Sequence, residues 1–461
     1  MYNSNLLKNI YLYSPSVFKD IYASTYGLLI RKKRYGPDFV KQYKLLKSLQ
    51  FESNSTVLKY QLFLYKDFLK FSFDNSPFYG IWAEKKIQTI EDIKQMAVLS
   101  KQVVRENIKQ IIPSNINKIK HIWTCTSGTT GKSLNFPISA FSFQREFAFR
   151  ALHYSWSNVD LLRKDPIAFC AGHPVAYIKR KKPPFWVYDY FSNWLLFSSY
   201  HMSESNLKYY VEKLETFSPK MLAGYPSSIY LLGLAYKKYG KKKLNLNAIY
   251  TGSENLFNHQ RKLIEDAFQV KVFNWYGNSE FGANIVECER GSLHLKLEYS
   301  FIEILNDSNQ DCKPGETGRL VCTAFGNYAF PLIRYDIGDS VTLSLNQNCE
   351  CGRSGRIIEK IEGRNEDYIE TPDGRLVGRL DHLFKHTTEI IEAQIIQNNK
   401  NGIILNIVCP SEFRKEQEKI LKREIEVRLG NSMNFEINYV NELERTIQGK
   451  AKFIISKINK S

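Results

Sequence analysis

The sequence predicts an α/β protein with a largely parallel sheet, followed by a small α+β domain. Short β-prone runs alternate with helical patterns between residues 121 and about 340, which is typical of a parallel sheet. From about residue 365 the pattern changes to β-β-α-β, the order of a small separate domain. The 461 residues exceed one ordinary domain. We therefore predict a large domain over residues 1–365 and a small one over residues 366–461.

Residues 1–120, the first part of the large domain, have a mostly helical pattern. Asp38–Leu49 and Ser55–Phe71 place aromatic and leucine side chains at helical spacing. Glu91–Met96 and Ser100–Ile108 predict two shorter helices, each with an acidic or hydroxyl residue at its start. The aromatic residues near the N-terminus suit a membrane-surface element, but a helix packed on the domain is the commoner use of such residues.

The remaining elements follow from periodicity and turn signals. In the large domain we predict strands over Ile167–Ala171, Met221–Gly224, Ala248–Thr251, Val270–Trp275 and Arg319–Thr323, and helices over Ser227–Tyr239 and His259–Phe268. In the small domain, Glu389–Gln397 and Gly402–Cys409 predict a hairpin. A helix from Ser411 to Leu429 and a strand over Met433–Val440 complete that module.

Composition narrows the class of protein. The 64 Lys and Arg residues against 47 Asp and Glu residues give a net charge of +17, which suits nucleic acid, a membrane surface or an anionic substrate. The basic residues are scattered, however, and we find no nucleic-acid-binding motif. The sequence contains no secretory signal and no apolar run long enough to span a bilayer. The eight cysteines are too sparse for a disulfide scaffold, so we expect a cytoplasmic protein.

The segment Trp123–Ser133 is rich in hydroxyl residues and contains two glycines and a lysine. Glycines let the backbone turn its amides inward, and hydroxyls and lysine add donors, so the segment suits a polyphosphate. The donors and glycines are Thr126, Ser127, Gly128, Thr129, Thr130, Gly131 and Lys132. It is not the common P-loop, because Thr126 stands where that motif requires glycine. The alternative is an ordinary surface turn of small polar residues.

Four further segments follow this loop in a fixed order. They are Tyr276-Gly277-Asn278-Ser279-Glu280, Ile333–Asp339, Ile361–Asp367 and Arg445–Lys450. Their order and spacing resemble the motif series of the adenylate-forming superfamily, and the short final domain is most similar to the phenylacetate–CoA ligase family. The sequence of Arg334–Asp339 is similar to that found in the branch associated with capsular polysaccharide biosynthesis. The resemblance covers roughly residues 85–455 and implies a large multi-layer N-terminal domain with a mobile C-terminal domain.

The resemblance implies a site for ATP assembled from separate segments. It implies that Thr126–Lys132 holds the β- and γ-phosphates. Glu280 is expected to bind Mg²⁺, a hard cation, and Asp339 to accept hydrogen bonds from both ribose hydroxyls. The other expected nucleotide contacts are Gly252, Ser253, Glu254 and Asn255 at the adenine edge, Tyr276 stacked on adenine, and Gly277 and Ser279 beside it.

The resemblance also implies the reaction. A carboxylic acid attacks ATP, giving an acyl-adenylate and pyrophosphate, and coenzyme A then takes the acyl group as a thioester. Lys450 is expected to neutralise charge during the first step, and Arg364 to assist at the ribose or phosphate. Glu366 is expected to be the hinge about which the small domain turns to admit the thiol.

Four residues form a separate candidate metal site. Cys288, His294, Cys349 and Cys351 offer three thiolates and one imidazole, a soft ligand set suited to tetrahedral Zn²⁺. The resemblance supports this prediction, because some phenylacetate–CoA ligase-like proteins carry a similar pairing in the same interval. Four protein ligands leave no open position, so the zinc would be structural. The alternative is a set of buried free cysteines and a polar surface histidine.

The sequence leaves the substrate and the acceptor open. His153, His173, Trp186 and Tyr225 are candidates for the pocket that takes a small-molecule carboxylic acid. One alternative function is an amide- or ester-forming ligase that uses an amine or hydroxyl acceptor in polysaccharide biosynthesis. Another is a non-catalytic protein that binds an anionic polymer through its basic surface. A homodimer is possible, but nothing in the sequence specifies one.

Overall fold

Helices form the first part of the chain. The computed structural model describes residues 11, 14–84, 89, 91–125, 134–172, 175–177, 180–362, 369–377, 380–384, 387, 390, 392–441, 443 and 453–458. The first helices are α1 (Ser16–Arg34), α2 (Pro37–Leu49), α3 (Asn54–Asn75), α4 (Lys101–Glu106) and α5 (Ile108–Ile111), with 3-10 turns at Gly80–Trp82, Glu91–Gln95 and Ile116–Lys118. The helix predicted over Glu91–Met96 is thus a 3-10 turn, the form that short segments favour. Ser100 caps α4 by accepting a hydrogen bond from the Val103 amide at 3.3 Å.

A mixed sheet of 12 strands organises the large part of the described chain. Its strands are β3 (Ile167–Ala171), β4 (Trp186–Asp189), β5 (Trp194–Ser198), β6 (Met221–Gly224), β7 (Ala248–Gly252), β8 (Val272–Gly277), β9 (Asn284–Glu287), β10 (Leu293–Leu295), β11 (Phe301–Leu305), β12 (Thr317–Thr323), β13 (Tyr335–Leu343) and β14 (Arg356–Ile361). They lie in the order β11-β12-β13-β14-β10-β9-β8-β7-β6-β3-β5-β4. A separate pair consists of β1 (His121–Cys125) and β2 (Asn135–Ser139), which are antiparallel.

The sheet has a parallel half and an antiparallel half. Strands β8, β7, β6, β3 and β5 are parallel to one another. The pairs from β8 through β9, β10, β14, β13 and β12 to β11 are antiparallel, and so is the β4–β5 pair. The prediction of a largely parallel sheet therefore holds only for the first half. Parallel neighbours need a crossover, and the connections after β8 contain no α-helix, so those strands pair antiparallel.

Helices cover both faces of the parallel half. They are α6 (Ala140–Ser155), α7 (Glu204–Phe217), α8 (Pro226–Tyr239) and α9 (Asn258–Phe268). Along β3, Ala168 and Cys170 belong to the core with α7, α8 and α9, whereas Ile167 belongs to the core with α2 and α6. This alternation gives three layers, because successive strand residues point to opposite faces. Helix α1 packs on β4, where the Tyr188 amide donates to Asp20 Oδ1 at 2.9 Å.

The C-terminal part is a smaller α+β unit. Its strands β17 (Glu392–Asn399), β18 (Gly402–Val408), β19 (Asn434–Tyr439) and β20 (Ile454–Ser456) form one sheet, beside the pair β15 (Ile369–Glu370) and β16 (Leu376–Val377). Helix α10 (Arg414–Leu429) packs Leu421 and Ile425 against Ile395 and Leu405 of that sheet. The predicted β-β-α-β order is confirmed, with β20 as an addition parallel to β17. The predicted boundary at residues 365 and 366 lies outside the described residues and stays a prediction.

Among the residues that the structure describes, no helix is both long and apolar enough to cross a membrane. The longest described helix, Asn54–Asn75, buries Tyr65, Phe68 and Leu69 in the core of the large domain instead.

Candidate functional site

A cavity of about 1220 Å³ opens where β7 and β8 end. In parallel sheets, ligands bind outside the carboxyl ends of the strands. The cavity is lined by the sequence-predicted residues Ser253, Glu254, Asn255, Tyr276, Gly277, Ser279, Glu280 and Asp339. Residues from three widely separated segments of the chain therefore meet around one space.

The first of these segments turns sharply after β7. A Cβ atom at Gly252 would lie 2.8 Å from the carbonyl oxygen of Trp275 on the neighbouring strand, so only glycine fits there. Ser253 then adopts a positive φ of 69°. Glu254 is fixed by helix α8, because its Oε2 accepts a hydrogen bond of 3.2 Å from the Ser227 amide near the start of that helix. A carboxylate is stabilised at a helix N-terminus by the unpaired amides and the helix dipole.

A hydrogen bond joins the second and third segments. Tyr276, at the end of β8, donates its hydroxyl to Asp339 Oδ2 at 2.8 Å. Asp339 lies within β13, on the antiparallel half of the sheet. A carboxylate is an acceptor with about four lone-pair sites, which suits recognition of the hydroxyls of a ribose. The contact thus connects the residues expected at adenine and at ribose.

Glu280 follows Tyr276 on the turn after β8. Its side chain is 6% exposed, and its Oε1 accepts a hydrogen bond of 3.1 Å from the Tyr335 hydroxyl. Asn278 fixes the turn, because its Oδ1 accepts from the amide of Gly282 at 2.7 Å. The Glu280 carboxylate can supply one oxygen ligand to Mg²⁺, which commonly binds one or two protein carboxylates together with substrate phosphates.

Arg334 holds the start of β13 in place, a role that the sequence did not reveal. Its guanidinium donates to both oxygens of Glu303, from Nε at 2.9 Å and from Nη2 at 2.8 Å. Its Nη1 donates to the carbonyl oxygens of Lys94 at 3.0 Å and Met96 at 2.5 Å. Burial raises the pKa of Glu303, although the hydrogen bonds from Arg334 lower it. Tyr335 follows Arg334 directly and Asp339 lies further along β13, so Arg334 fixes the start of the strand that carries both.

Several predicted residues lie outside the described residues. They are the loop Thr126–Lys132, with Ser127, Gly128, Thr129, Thr130 and Gly131, and also Arg364, Glu366, Lys450 and His173. Their expected roles stay predictions. Of the segments flanking the loop, Thr124 of β1 and Ile138 of β2 line the cavity.

The four candidate metal ligands lie together. The ligand atoms of Cys288, His294, Cys349 and Cys351 all lie within 4.8 Å of one another. Cys288 Sγ lies 3.6 Å from Cys349 Sγ, and Cys351 Sγ lies 3.3 Å from His294 Nε2. In a tetrahedral zinc site with Zn–S bonds of about 2.3 Å, sulfur atoms are about 3.8 Å apart. The donor types and the spacing therefore both fit Zn²⁺.

Local structure orients these ligands. Cys288 follows β9, His294 lies on β10, and Cys349 and Cys351 lie between β13 and β14. Nδ1 of His294 contacts the Ser354 carbonyl oxygen at 3.3 Å, which leaves Nε2 directed at Cys351. Burial raises the pKa of the Cys288 thiol to about 12 and lowers the pKa of His294 to about 4. Burial also opposes ionisation of Cys349, but hydrogen bonds from Ser292 and Cys351 outweigh it and lower the pKa of that thiol.

Three of the four candidates for the acid pocket lie within the described residues. Among the residues lining the cavity that the structure describes, His153, Trp186 and Tyr225 are absent. His153 is 1% exposed and contacts the Glu287 carbonyl oxygen at 2.7 Å, and burial lowers its pKa to about 3. It is a neutral core residue packed on Trp275. Beyond the residues expected at the nucleotide, the cavity wall includes Ile138, Phe143, Glu146, Arg150 and Trp275.

Known proteins resemble this chain over different lengths. Protein CapK of Staphylococcus aureus is 30% identical over 98% of this chain and 100% of its own length. Phenylacetate-coenzyme A ligase of Thermus thermophilus is 30% identical over 34% of this chain and 36% of its own. Indoleacetate–lysine synthetase of Pseudomonas savastanoi is 30% identical over 30% of this chain and 33% of its own. The family model of the CapK C-terminal domain matches residues 369–457.

Solved structures resemble the fold. 2-Hydroxyisobutyryl-CoA ligase in complex with its acyl-adenylate and CoA superimposes with a TM-score of 0.55 at 17% identity, covering 87% of this chain and 89% of that one. The same ligase in its postadenylation state gives 0.51 at 16% identity, covering 88% and 91%. These likenesses confirm the predicted α/β fold, and the similarity to CapK over the full length confirms the resemblance found in the motifs. The chain belongs to the CapK family, and its partial similarity to a phenylacetate-coenzyme A ligase agrees with the resemblance found in the motifs.

Proposed function

We propose that this protein activates a carboxylic acid with ATP, forming an acyl-adenylate and pyrophosphate, and then transfers the acyl group to coenzyme A. The observation that carries the proposal is the convergence of Tyr276, Glu280 and Asp339 around one cavity. Tyr276 and Asp339 are joined by a hydrogen bond of 2.8 Å. The partial similarity to a phenylacetate-coenzyme A ligase supports the reaction class.

Charge is the main obstacle to the first step, because ATP and the acid are both anionic. A carboxylate oxygen of the acid attacks the α-phosphorus, and the bond from that phosphorus to the pyrophosphate oxygen breaks. Asp339 and Tyr276 hold the nucleoside, while Mg²⁺ at Glu280 would neutralise phosphate charge. The loop Thr126–Lys132 and Lys450 would add donors and positive charge to the phosphates. In the second step the thiolate of coenzyme A attacks the acyl carbonyl, and AMP leaves.

We further propose that Cys288, His294, Cys349 and Cys351 bind one structural Zn²⁺. The four ligands come from the β9–β10 hairpin and from the connection between β13 and β14. Zinc would therefore cross-link two parts of the antiparallel half. With four protein donors the ion has no open position for substrate.

A second candidate is a ligase that passes the activated acid to an amine. The similarity to indoleacetate–lysine synthetase over 140 residues favours it. Both candidates share the adenylation step and differ only in the acceptor. A non-catalytic protein that binds an anionic polymer, the third possibility, would release no pyrophosphate.

Pyrophosphate release tests the proposal. Purified protein with ATP and Mg²⁺ is offered a panel of aryl, aliphatic, amino and uronic acids, first alone and then with coenzyme A, hydroxylamine or amines. We expect acid-dependent pyrophosphate release, and a thioester only when coenzyme A is present. An amide formed with an amine but no thioester would select the second candidate. No pyrophosphate release with any acid would refute adenylation itself.

A lysine variant tests the proposed role of the C-terminal domain. Lys450→Ala should lower the adenylation rate by orders of magnitude while leaving ATP binding largely intact, because the lysine acts on the transition state. Lys415→Ala, an exposed lysine on α10, is the matched control and should behave as the wild type. Equal adenylation by wild type and Lys450→Ala would contradict the assignment.

A further inference from the structure

The same cavity contains a charged pair on helix α6 that the nucleotide does not explain. Glu146 and Arg150 both line it, together with the apolar side chains Phe143 and Trp275. Trp275 precedes Tyr276 on β8, and both residues line the cavity, so this wall and the residue expected at adenine border the same space. The pair thus lies where the acid, rather than ATP, would be held.

The Arg150 guanidinium is held by its Nε atom and by two aromatic rings, whereas its two terminal nitrogens have no described protein acceptor. Its Nε donates to Glu146 Oε1 at 2.9 Å, and its centre lies 5.5 Å from the ring centres of both Phe147 and Trp275. Among the residues that the structure describes, neither terminal nitrogen of Arg150 has a hydrogen-bond partner. The side chain is 40% exposed although it lies inside the cavity wall. Both terminal nitrogens therefore lack a described protein acceptor on a side chain that lines the cavity.

Arg145, on the same helix, shows how a structural arginine looks in this fold. It is 4% exposed, and its Nη1 donates to the carbonyl oxygens of Tyr299 at 2.9 Å and Phe325 at 3.2 Å. Its Nη2 donates to the Glu298 carbonyl oxygen. Both terminal nitrogens of Arg145 thus donate to backbone carbonyl oxygens, whereas those of Arg150 are available to another partner.

Glu146 is not available to bind the substrate. Its Oε1 accepts from Arg150, and its Oε2 accepts from the Tyr299 hydroxyl at 2.7 Å. Its side chain is only 5% exposed. An amine on the substrate would have to displace one of these donors. The available chemistry is instead that of a guanidinium fork, which binds carboxylate, phosphate and similar oxyanions through paired hydrogen bonds.

We propose that Arg150 binds a second anionic group on the acid, so that the substrate is a diacid rather than a simple aryl or alkyl acid. This inference rests on the proposed adenylation function. One carboxylate of the substrate would reach the nucleotide near Glu280, and the other anionic group would reach Arg150 across the Trp275 ring. The cation–π contacts hold the guanidinium in place without using its terminal nitrogens.

Matched acids and an arginine series test the proposal. Succinate, glutarate and adipate are compared with butanoate, pentanoate and hexanoate, and a phosphonate analogue of glutarate distinguishes carboxylate from phosphate recognition. Pyrophosphate release gives kcat/KM for each acid. The variants are Arg150→Gln and Arg150→Lys, with Arg163→Gln as the control because its side chain is 85% exposed in a surface ion pair.

We expect the wild type to prefer the diacid or phosphonate of one chain length over its monoacid. Arg150→Gln should lower that preference about 10- to 100-fold, since it removes charge-assisted hydrogen bonds. Arg150→Lys should keep part of it, and Arg163→Gln all of it. Pyrophosphate release by Arg150→Gln with an unchanged acid preference would overturn the inference while leaving the proposed function intact.

A binding measurement separates the two failures. If no acid releases pyrophosphate, the proposed function fails, and the rise in melting temperature with each acid decides the inference independently. A rise with the diacid or phosphonate that Arg150→Gln loses and Arg163→Gln keeps would support recognition by Arg150. No rise with any member of the panel, or an equal rise in the wild type and Arg150→Gln, would overturn it.

Discussion

Removing Arg334 should destabilise the protein in a pH-dependent way. Arg334→Met breaks an ion pair whose two side chains are 6% and 2% exposed, and it removes the donors to the Lys94 and Met96 carbonyl oxygens. Breaking a buried pair from one side costs about 3 to 5 kcal/mol, because the remaining charge is buried without compensation. The unpaired group would be Glu303.

The expected shift in melting temperature follows from the size of the large unit. Unfolding entropy is about 2.1 cal/mol/K per residue, or roughly 0.8 kcal/mol/K for a unit of about 360 residues. A loss of 3 to 5 kcal/mol then lowers the melting temperature by about 4 to 7 °C. Arg163→Met, at an exposed ion pair, should change stability by less than about 1 kcal/mol.

The sign of the pH dependence follows from Glu303. Burial already raises the pKa of this carboxyl above its ordinary value, and losing Arg334 removes a partner that lowers it. A carboxyl with a raised folded-state pKa stabilises the fold below its ordinary pKa and loses that contribution as pH rises through the folded value. The stability gap between wild type and Arg334→Met should therefore widen above the ordinary carboxyl range of about pH 4 to 5.

Thermal melting between pH 5 and pH 8, followed by circular dichroism, measures this gap. Arg334→Met/Glu303→Leu lacks the buried carboxyl, so the excess loss at high pH should disappear in the double variant. A gap that is the same at both pH values, or one that persists in the double variant, would refute the reasoning. It would show that Glu303 is not the group left uncompensated.

Two further changes test the nucleotide and metal sites. Asp339→Asn should weaken ATP binding by about tenfold or more, because a neutral acceptor replaces a charged one, whereas Tyr276→Phe keeps the stacking ring and should weaken it less. Equal binding by Asp339→Asn and wild type in titration calorimetry would contradict the ribose assignment. Metal analysis should find about one zinc per chain, lost in Cys349→Ser/Cys351→Ser and kept in Cys312→Ser. A well-folded, zinc-free wild type would contradict the metal site.

The parallel half of the fold was predictable because its strands are buried on both faces. Predicted strands Ile167–Ala171 and Met221–Gly224 match β3 and β6 in both bounds. Among the predicted strands of the large domain, only Arg319–Thr323 comes from the antiparallel half beyond β8. Neighbouring strands there carry buried polar side chains such as Glu303 and His294, which interrupt the apolar periodicity. Their partners become visible only once the chain is folded.

The sequence likewise predicts some residues of the candidate site and misses others. Tyr276, Glu280 and Asp339 could be predicted because they belong to motifs whose order is recognisable in the sequence without knowledge of the contacts. All three line the cavity. Glu146 and Arg150 belong to no motif. On sequence alone they are an ordinary pair four residues apart on a helix, and such pairs are usually solvent-exposed. Only the packing against Trp275 and Tyr299, more than 120 residues away, distinguishes them.

The cavity is lined from both halves of the sheet, so residues far from the proposed nucleotide site can affect it. Gly252 and Tyr276 end strands of the parallel half, whereas Asp339 is carried by the antiparallel half. The distance between the residues proposed to contact adenine and ribose therefore depends on how the halves pack. Arg334 fixes the start of β13, and a zinc ion at the cysteine cluster would fix the β9–β10 hairpin against the connection that follows β13. Both devices act on the strand that carries Asp339, so the stability of the antiparallel half and the affinity for ATP should change together.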